Sequence, residues 1–119
     1  MNRDMDLTRE ILLEVESRPP NQGGQQIDLP HREFTEVTYH AILLEEAGLI
    51  RAKVEYEKNV GRCYVERLTW EGHEFLEAAR SDKTWKHAVL SVGEKAGGLA
   101  YEVLKAVLIQ AAKDAVLPK

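Results

Sequence analysis

Residues 36–50 have the sequence EVTYHAILLEEAGLI, the most informative segment of this 119-residue chain. Its apolar residues recur at helical spacing as far as Gly48, and glycine commonly ends a helix in the left-handed conformation. Because Thr35 is a suitable N-cap, we expect a helix over 35–49. From Ile50 onward the pattern changes to alternation of apolar and charged residues, which is typical of a half-buried strand.

The alternating segment is the first strand of a predicted hairpin. Residues 50–56 form that strand, residues 58–62 contain the Asn and Gly that favour a tight turn, and residues 63–68 return. Thr69 then caps a further helix, in which Gly72 indicates close packing against a neighbouring element. A helix, a hairpin and a helix in this order predict an α+β fold of the winged-helix (wHTH-like) class.

The segments before residue 35 shorten the expected helix-turn-helix. A first helix, capped by Asp4 or Asp6, ends at the proline pair 19–20. Residues 26–29 alternate as a short strand, which a proline ends. Only residues 31–34 then remain before the helix 35–49. The supporting helix of a helix-turn-helix does not fit there, which argues against the usual DNA-docking geometry.

The C-terminal end is predicted to be a helical extension. Two glycines at 97–98 precede a helix of roughly residues 99–117, so we expect a winged-helix-like domain over 1–95 and an amphipathic helix within 96–119. Its apolar stripe at helical spacing consists of Ala100, Val103, Leu104, Val107, Leu108, Ala111 and Ala115. The stripe either packs on the domain or forms a homodimer, with Val107 and Leu108 as candidate protein contacts. A membrane-surface role is the least favoured alternative, since no basic run accompanies the stripe.

Composition indicates a soluble cytoplasmic protein. The net charge of −4 has the wrong sign for coating nucleic acid indiscriminately. Residues 1–80 contain ten basic and sixteen acidic side chains, whereas residues 81–119 contain six and four. The single cysteine, Cys63, excludes an intramolecular disulfide and suits a reducing compartment. No signal-peptide core and no apolar run of membrane-spanning length is visible.

Several segments together resemble a family of uncharacterised bacterial and prophage winged-helix proteins, known only as domain of unknown function 2513. The resemblance covers nearly the whole chain and is carried by residues 3–7, 39–40, 43–50, 68–76, 84–85 and 102–105. It implies a winged-helix-like fold and a phage or mobile-element setting. It brings no established activity, cofactor or catalytic residue.

Protein binding is the function that the helix 35–49 favours. Tyr39, Leu43 and Glu46 fall on the face that the core does not use, and an exposed Tyr–Leu pair beside carboxylates resembles an interface. The alternative is that another segment of the same chain, above all the C-terminal stripe, covers this pair.

DNA binding is the second hypothesis. Its candidate contacts are Tyr39, His40, Arg51, Lys53, Lys58 and Arg62. Base readout favours Arg, Lys, Asn or Gln on the reading helix, whereas the helix 35–49 has three glutamates and no lysine or arginine. Glutamates 55, 57 and 66 offset the cations of the hairpin, and solvated surface charges explain these cations equally well.

Nothing in the sequence indicates catalysis or metal binding. The four histidines, at positions 31, 40, 73 and 87, lack metal-ligand spacing, and His40 is more simply a hydrogen-bonded structural residue. Glu71 and Glu74 form the kind of pair that any amphipathic helix produces. We therefore expect a non-enzymatic interaction or regulatory module of phage or prophage type, without cofactor, metal, small-molecule substrate or membrane attachment. The alternative is a DNA-binding transcriptional regulator.

Overall fold

The computed structural model describes residues 1–96 and 101–116 of the chain. This part contains five helices and one two-stranded antiparallel hairpin, in the order α1 Met5–Ser17, α2 Phe34–Glu46, β1 Ile50–Glu57, β2 Val60–Leu68, α3 Trp70–Ala79, α4 Asp82–Ala96 and α5 Tyr101–Val116. The predicted α+β class is confirmed. The chain groups into two compact units, residues 1–73 and 74–119, so the predicted division at residues 95 and 96 falls inside the second unit.

The core of the first unit is formed where α1, α2 and the hairpin meet. Asp4 caps α1, because its side chain accepts a 3.2 Å hydrogen bond from the Leu7 amide. The apolar side chains buried here are Met5, Leu7, Ile11, Leu12, Val15, Ile27, Leu29, Val37, Ala41, Ile42, Leu44, Leu49, Ile50, Cys63, Val65 and Leu68. They come from both helices, the hairpin and the segments between these elements, and this common burial holds the unit together.

Helix α2 begins earlier than predicted and ends as predicted. It starts at Phe34, and the N-cap residue Glu33 makes no side-chain capping bond, so the prediction that Thr35 is the cap is wrong. Gly48 follows the helix with a φ of +77°, the left-handed conformation expected of a helix-ending glycine. Ala47 is the C-cap residue of α2 and is exposed.

The hairpin is closed by the shortest common kind of turn. Glu57 pairs with Val60, and Lys58 and Asn59 between them have φ values of 52° and 68°. Two central residues with positive φ define a type I′ turn, whose twist matches that of the two strands. The register continues through Glu55 opposite Arg62 to the base of the hairpin.

The segment before α2 is extended but pairs at a single residue. Gln25 forms an antiparallel bridge with Val65 of β2, through hydrogen bonds of 2.9 and 2.8 Å. The prediction of a strand over 26–29 is wrong, since residues 26–29 form no strand and do not pair with the hairpin. The orientation of these residues is as predicted, since Ile27 and Leu29 are buried while Asp28 is exposed.

The start of α3 is fastened to the end of α2. The Thr69 hydroxyl donates a 2.6 Å bond to the Gly48 carbonyl and accepts a 3.0 Å bond from the Gly72 amide, so Thr69 is the predicted cap. A Cβ on Gly72 would overlap the carbonyl oxygen of Leu49. The predicted packing reason for a glycine at position 72 is therefore confirmed.

The second unit is built on α4 and α5 with the end of α3. Its buried apolar side chains are Phe75, Leu76, Ala79, Trp85, Ala88, Val92, Leu104 and Leu108. The Phe75 ring lies 6.4 Å from that of Trp85 and 5.4 Å from that of Tyr101, measured between centroids. Helix α5 packs against α4.

This packing corrects one candidate contact residue. Leu108 has no exposed surface, so it is a core residue of the second unit and is not available to a partner, whereas Val107 is half-buried. The predicted glycine break at 97–98, Ala100 and the side chain of Ala115 lie outside the described residues. None of the helices in the described ranges combines the length and the apolar character needed to cross a lipid bilayer.

Candidate functional site

The two faces of α2 serve different purposes. Val37, Ala41 and Leu44 point into the core of the first unit. The opposite side of the helix presents Thr35, Thr38, Tyr39, Ile42, Leu43 and Glu46, which recur at intervals of three and four residues. This second stripe contains all three of the contact residues that the sequence predicts on this helix.

The second stripe forms one wall of a surface groove. The groove has a volume of about 590 Å³, and its other wall is the turn end of the hairpin. Its lining residues are Met1, Gln26, Phe34, Thr35, Thr38, Tyr39, Ile42, Leu43, Glu46, Tyr56, Asn59, Val60, Gly61 and Arg62. A groove of this size falls in the range of sites that hold a small ligand or a few side chains of a peptide.

Large apolar side chains are exposed around this groove. Tyr56 is 67% exposed, Val60 56%, Phe34 43% and Tyr39 38%. Single exposed apolar residues are ordinary, but four around one concavity form a patch of the kind that marks a binding surface. Tyrosine also supplies a hydroxyl, so the patch can bind both apolar and polar groups of a ligand.

Two charged residues line the groove, one of each sign. Glu46 ends α2, and Arg62 lies on β2. Neither side chain forms an ion pair with any residue that the structure describes. They are therefore available to a ligand that carries complementary charges.

His40 lies on the inner side of α2 and is fully buried. Its Nε2 accepts a 2.8 Å hydrogen bond from the Asp4 amide, and its Nδ1–H donates a 2.8 Å bond to the Glu36 carbonyl. These bonds require the neutral tautomer protonated on Nδ1. The hypothesis that His40 contacts DNA is therefore wrong for this conformation, because both ring nitrogens are used inside the protein.

Arg32 connects the two helices of the first unit on their solvent side. Its guanidinium donates hydrogen bonds of 3.1 Å to Asp4 and 2.9 Å to Glu10, and lies 3.7 Å from Glu36. Burial alone would raise the pKa of Asp4 and of Glu10. Hydrogen bonds from the Leu7 amide and from Arg32 lower the pKa of Asp4 below its ordinary value, and hydrogen bonds from Arg32 and His31 do the same for Glu10. The Glu10 contacts raise the pKa of Arg32. This cluster stabilises the fold by linking α1 to the start of α2.

The remaining candidate DNA contacts are spread over the hairpin. Arg51, Lys53 and Lys58 are exposed, and Arg62 is exposed at the groove. Lys53 is partly neutralised by Glu55, whose carboxylate lies 3.3 Å from its ammonium group. The structure thus places these cations on the hairpin, where Glu55 lies opposite Arg62 and beside Lys53.

The groove includes residues that sequence reasoning missed. The apolar alternation of β1 predicts that Tyr56 is half-buried, yet it lies near the turn, where little of the core remains to cover it. The sequence predicts Phe34 in the segment before the helix, and Val60 and Gly61 in the turn. The only signal in the sequence is the apolar alternation of β1, which continues as far as Tyr56, although the core does not cover that end of the strand.

Metal-site and thiol chemistry are not apparent at the groove. Among the described residues, no group of three or more His, Cys, Asp or Glu side chains is arranged to hold a metal ion. Cys63 is buried, and its burial, with a contribution from Glu45, raises the pKa of its thiol to about 11. A thiol in this environment is a poor nucleophile.

The fold and the groove define a small α+β protein with a surface groove between a helix and a hairpin. The chain belongs to the family described as "Hypothetical protein (DUF2513)", which matches residues 2–98. It is similar to an uncharacterized protein of Haemophilus influenzae, with 35% identity over 109 residues that cover 90% of this chain and 92% of the relative. No solved structure matches the chain.

Proposed function

We propose that this protein is a non-enzymatic interaction module with a winged-helix-like fold, which acts by docking a segment of a partner protein in the groove between α2 and the hairpin. The observation that carries the proposal is the use of the outer face of α2. That face lines the groove with Tyr39, Leu43 and Glu46, and exposed aromatic residues from both walls surround it.

The winged-helix part of the proposal is supported by the order of the elements. Helix α2 is followed by the glycine corner at Gly48, the hairpin and α3, as a reading helix is followed by its wing. Only the short segment from residue 30 to residue 33 separates the extended stretch from α2. The phage or prophage setting and a cytoplasmic location rest on the sequence alone.

The charge of α2 favours a protein partner over DNA. The helix has three glutamates and no lysine or arginine, and its one histidine is buried. A DNA-reading helix usually supplies Arg, Lys, Asn or Gln for base edges and cations for phosphates, and α2 contains none of these four residue types. Tyrosine beside threonine, asparagine and one charge of each sign is instead the composition of many protein interfaces.

A DNA-binding regulator remains the second candidate, because Arg51, Lys53, Lys58 and Arg62 are exposed on the hairpin. An anisotropy titration with random duplex at low salt separates the two functions. Affinity that falls steeply with salt, and that is lost in the triple variant Arg51→Ala/Lys53→Ala/Arg62→Ala, would establish DNA binding and overturn the proposal.

The protein-docking function is tested by panning a random peptide library against the immobilised full chain. The double variant Tyr39→Asp/Tyr56→Asp serves as counter-selection, and Trp70→Ala removes an aromatic residue that is 76% exposed but does not line the groove. We expect enriched peptides whose affinity falls at least about tenfold in the double variant and is unchanged in Trp70→Ala. Peptides that bind all three proteins equally would contradict the proposal.

A further inference from the structure

The outer edge of β2 has a partner at one end only. At Val65 both backbone groups bond to Gln25, with distances of 2.8 and 2.9 Å. After Gln25 the chain turns into the core, where Ile27 and Leu29 are buried. From Val65 to the turn, no other strand among the described residues covers this edge.

The alternation of an antiparallel ladder shows which groups face that edge. Successive residues of a strand direct their amide and carbonyl groups to opposite sides, so residues two apart face the same side. Since Val65 faces Gln25, Cys63 and Gly61 face the same way. Cys63 is only 2% exposed, whereas Gly61 lines the groove and makes no backbone hydrogen bond outside the hairpin within the described part of the chain.

The surroundings of Gly61 fit an apolar side chain from a neighbouring strand. A Cβ at Gly61 would lie 3.0 Å from Ile42 Cδ1 and 3.1 Å from Tyr56 Cε1, so this face of the strand adjoins two apolar groups. In an added strand, the side chain opposite Gly61 would project to the same face. It would therefore pack against Ile42 and Tyr56.

The positive charge of Arg62, next to Gly61, favours an acidic residue at the opposite position of an added strand. Arg62 projects to the other face of β2, where its cross-strand neighbour is Glu55. Glu55 lies 3.3 Å from Lys53, and Arg62 has no ion pair within the described residues. A carboxylate opposite Arg62 in an added strand would supply the missing partner.

We propose that the occupant of the groove is an extended peptide that adds to the free edge of β2 as an antiparallel strand, with an apolar residue opposite Gly61 and an acidic residue immediately before it, opposite Arg62. This inference rests on the proposed function and specifies its ligand. Main-chain bonds to Gly61 provide affinity, and the two side chains provide selectivity. A helical peptide in the same groove is the competing outcome.

The first test uses designed peptides and the full chain. An acetylated hexapeptide DVTTTK, with rhodamine on its lysine, presents the aspartate opposite Arg62 and the valine opposite Gly61. It ends before Val65, whose edge Gln25 occupies. One control peptide replaces that valine with proline, which removes the amide donor, and another replaces the aspartate with lysine. We expect the dissociation constant measured by anisotropy to rise at least about tenfold with proline and about fivefold with lysine.

Charge reversal provides the matched control. In Arg62→Glu the preference should invert, so that the lysine peptide binds more tightly than the aspartate peptide. Arg51→Glu makes the same change on the same hairpin outside the groove, and it should leave the preference unchanged. Equal binding of all three peptides by the wild-type protein would overturn the proposal that the peptide binds as a strand. An unchanged preference in Arg62→Glu would overturn the proposal that Arg62 binds the acidic residue.

The second test uses the peptides selected from the library, which separates this inference from the proposed function. Bound as strands, they should protect the Gly61 amide from hydrogen exchange at least about tenfold, as measured by NMR. Groove-dependent peptides that become helical and leave Gly61 unprotected would overturn the strand but retain the docking function. A library that yields no groove-dependent peptide would overturn both.

Discussion

The Asp4 amide donates a 2.8 Å hydrogen bond to Nε2 of His40, although the two residues are 36 positions apart in the sequence. The bond joins the N-cap of α1 to the centre of α2. The residue that precedes His40 in α2, Tyr39, lies on the outer face of the helix and lines the groove. Neighbouring side chains of α2 therefore have separate roles. His40 holds the helix in place, whereas Tyr39 is exposed at the groove.

Replacing His40 should destabilise the fold far more than replacing Tyr39. In His40→Leu the Asp4 amide and the Glu36 carbonyl lose their side-chain partner, at a cost of about 2 kcal/mol in the free energy of unfolding. Tyr39→Ala should change the same quantity by less than about 1 kcal/mol while abolishing groove binding. Urea unfolding measures the first effect and peptide anisotropy the second. Equal stability of the two variants would contradict this division of roles.

The Arg32 cluster should make the first unit sensitive to acid. Because the folded state lowers the pKa values of Asp4 and Glu10, their contribution is present above their ordinary values of 3.8 and 4.5 and is lost as the pH falls through the lower folded values. Arg32→Gln should therefore reduce stability by about 1 kcal/mol at pH 7 and by less at pH 3. Thermal unfolding monitored between pH 3 and pH 7 measures the difference. Arg51→Gln, a change at an exposed arginine of the first unit that forms no ion pair with the described residues, is the control.

Gly72→Ala should destabilise the protein even though alanine favours helices. Helix propensity alone predicts a gain of about 1 kcal/mol. The new Cβ would instead overlap the Leu49 carbonyl oxygen, and we expect a net loss of about 2 kcal/mol in unfolding free energy. Glu71→Ala, an exposed change in the same turn of α3, should be nearly neutral. A stabilised Gly72→Ala protein would show that α3 moves away from Leu49 without penalty.

Cys63 should be almost inert to alkylation in the native state. With the pKa raised from 9.0 to about 11, the thiolate fraction at pH 8 falls about a hundredfold, and burial slows access further. Iodoacetamide labelling followed by mass spectrometry should show slow modification in buffer and rapid modification in urea. Rapid native labelling would mean that the hairpin opens readily.

The burial of Leu108 predicts that its replacement affects folding and not assembly. Leu108→Asp should lower stability by about 3 kcal/mol or more, because a charge replaces a fully buried side chain. Val103→Asp, at a position that is 49% exposed on the same helix, should be tolerated. Sedimentation at a concentration on the order of 50 µM should show a monomer for the wild type. A wild-type dimer that Leu108→Asp converts into a folded monomer would restore the homodimer predicted from the sequence.

Sequence patterns predicted the elements that depend on local chemistry. The alternation after Ile50 predicts the hairpin, Gly48 predicts the end of α2, and Thr69 predicts the start of α3. These predictions are confirmed because each feature depends on a few adjacent residues. The start of α2 was misplaced, since Thr35 has the right chemistry for a cap but the helix begins at Phe34.

Features that depend on distant partners could not be predicted in this way. The buried role of His40 depends on the Asp4 amide, and the role of Arg32 depends on carboxylates of α1 that lie 22 and 28 positions away. The groove combines α2 with a hairpin turn, so the sequence indicated one wall, through Tyr39, Leu43 and Glu46, and not the other. Only the three-dimensional arrangement shows that Tyr56 and Gly61 complete it.

Separate inner and outer faces on α2 also have an evolutionary consequence. Substitutions at Tyr39 or Leu43 change the surface of the groove and leave both hydrogen bonds of His40 in place; at Tyr39 they remove only an edge-on ring contact with His40. A lineage can therefore alter its choice of partner while inheriting an unchanged scaffold. Under the proposed docking function, two proteins can share this scaffold and still recognise different partners.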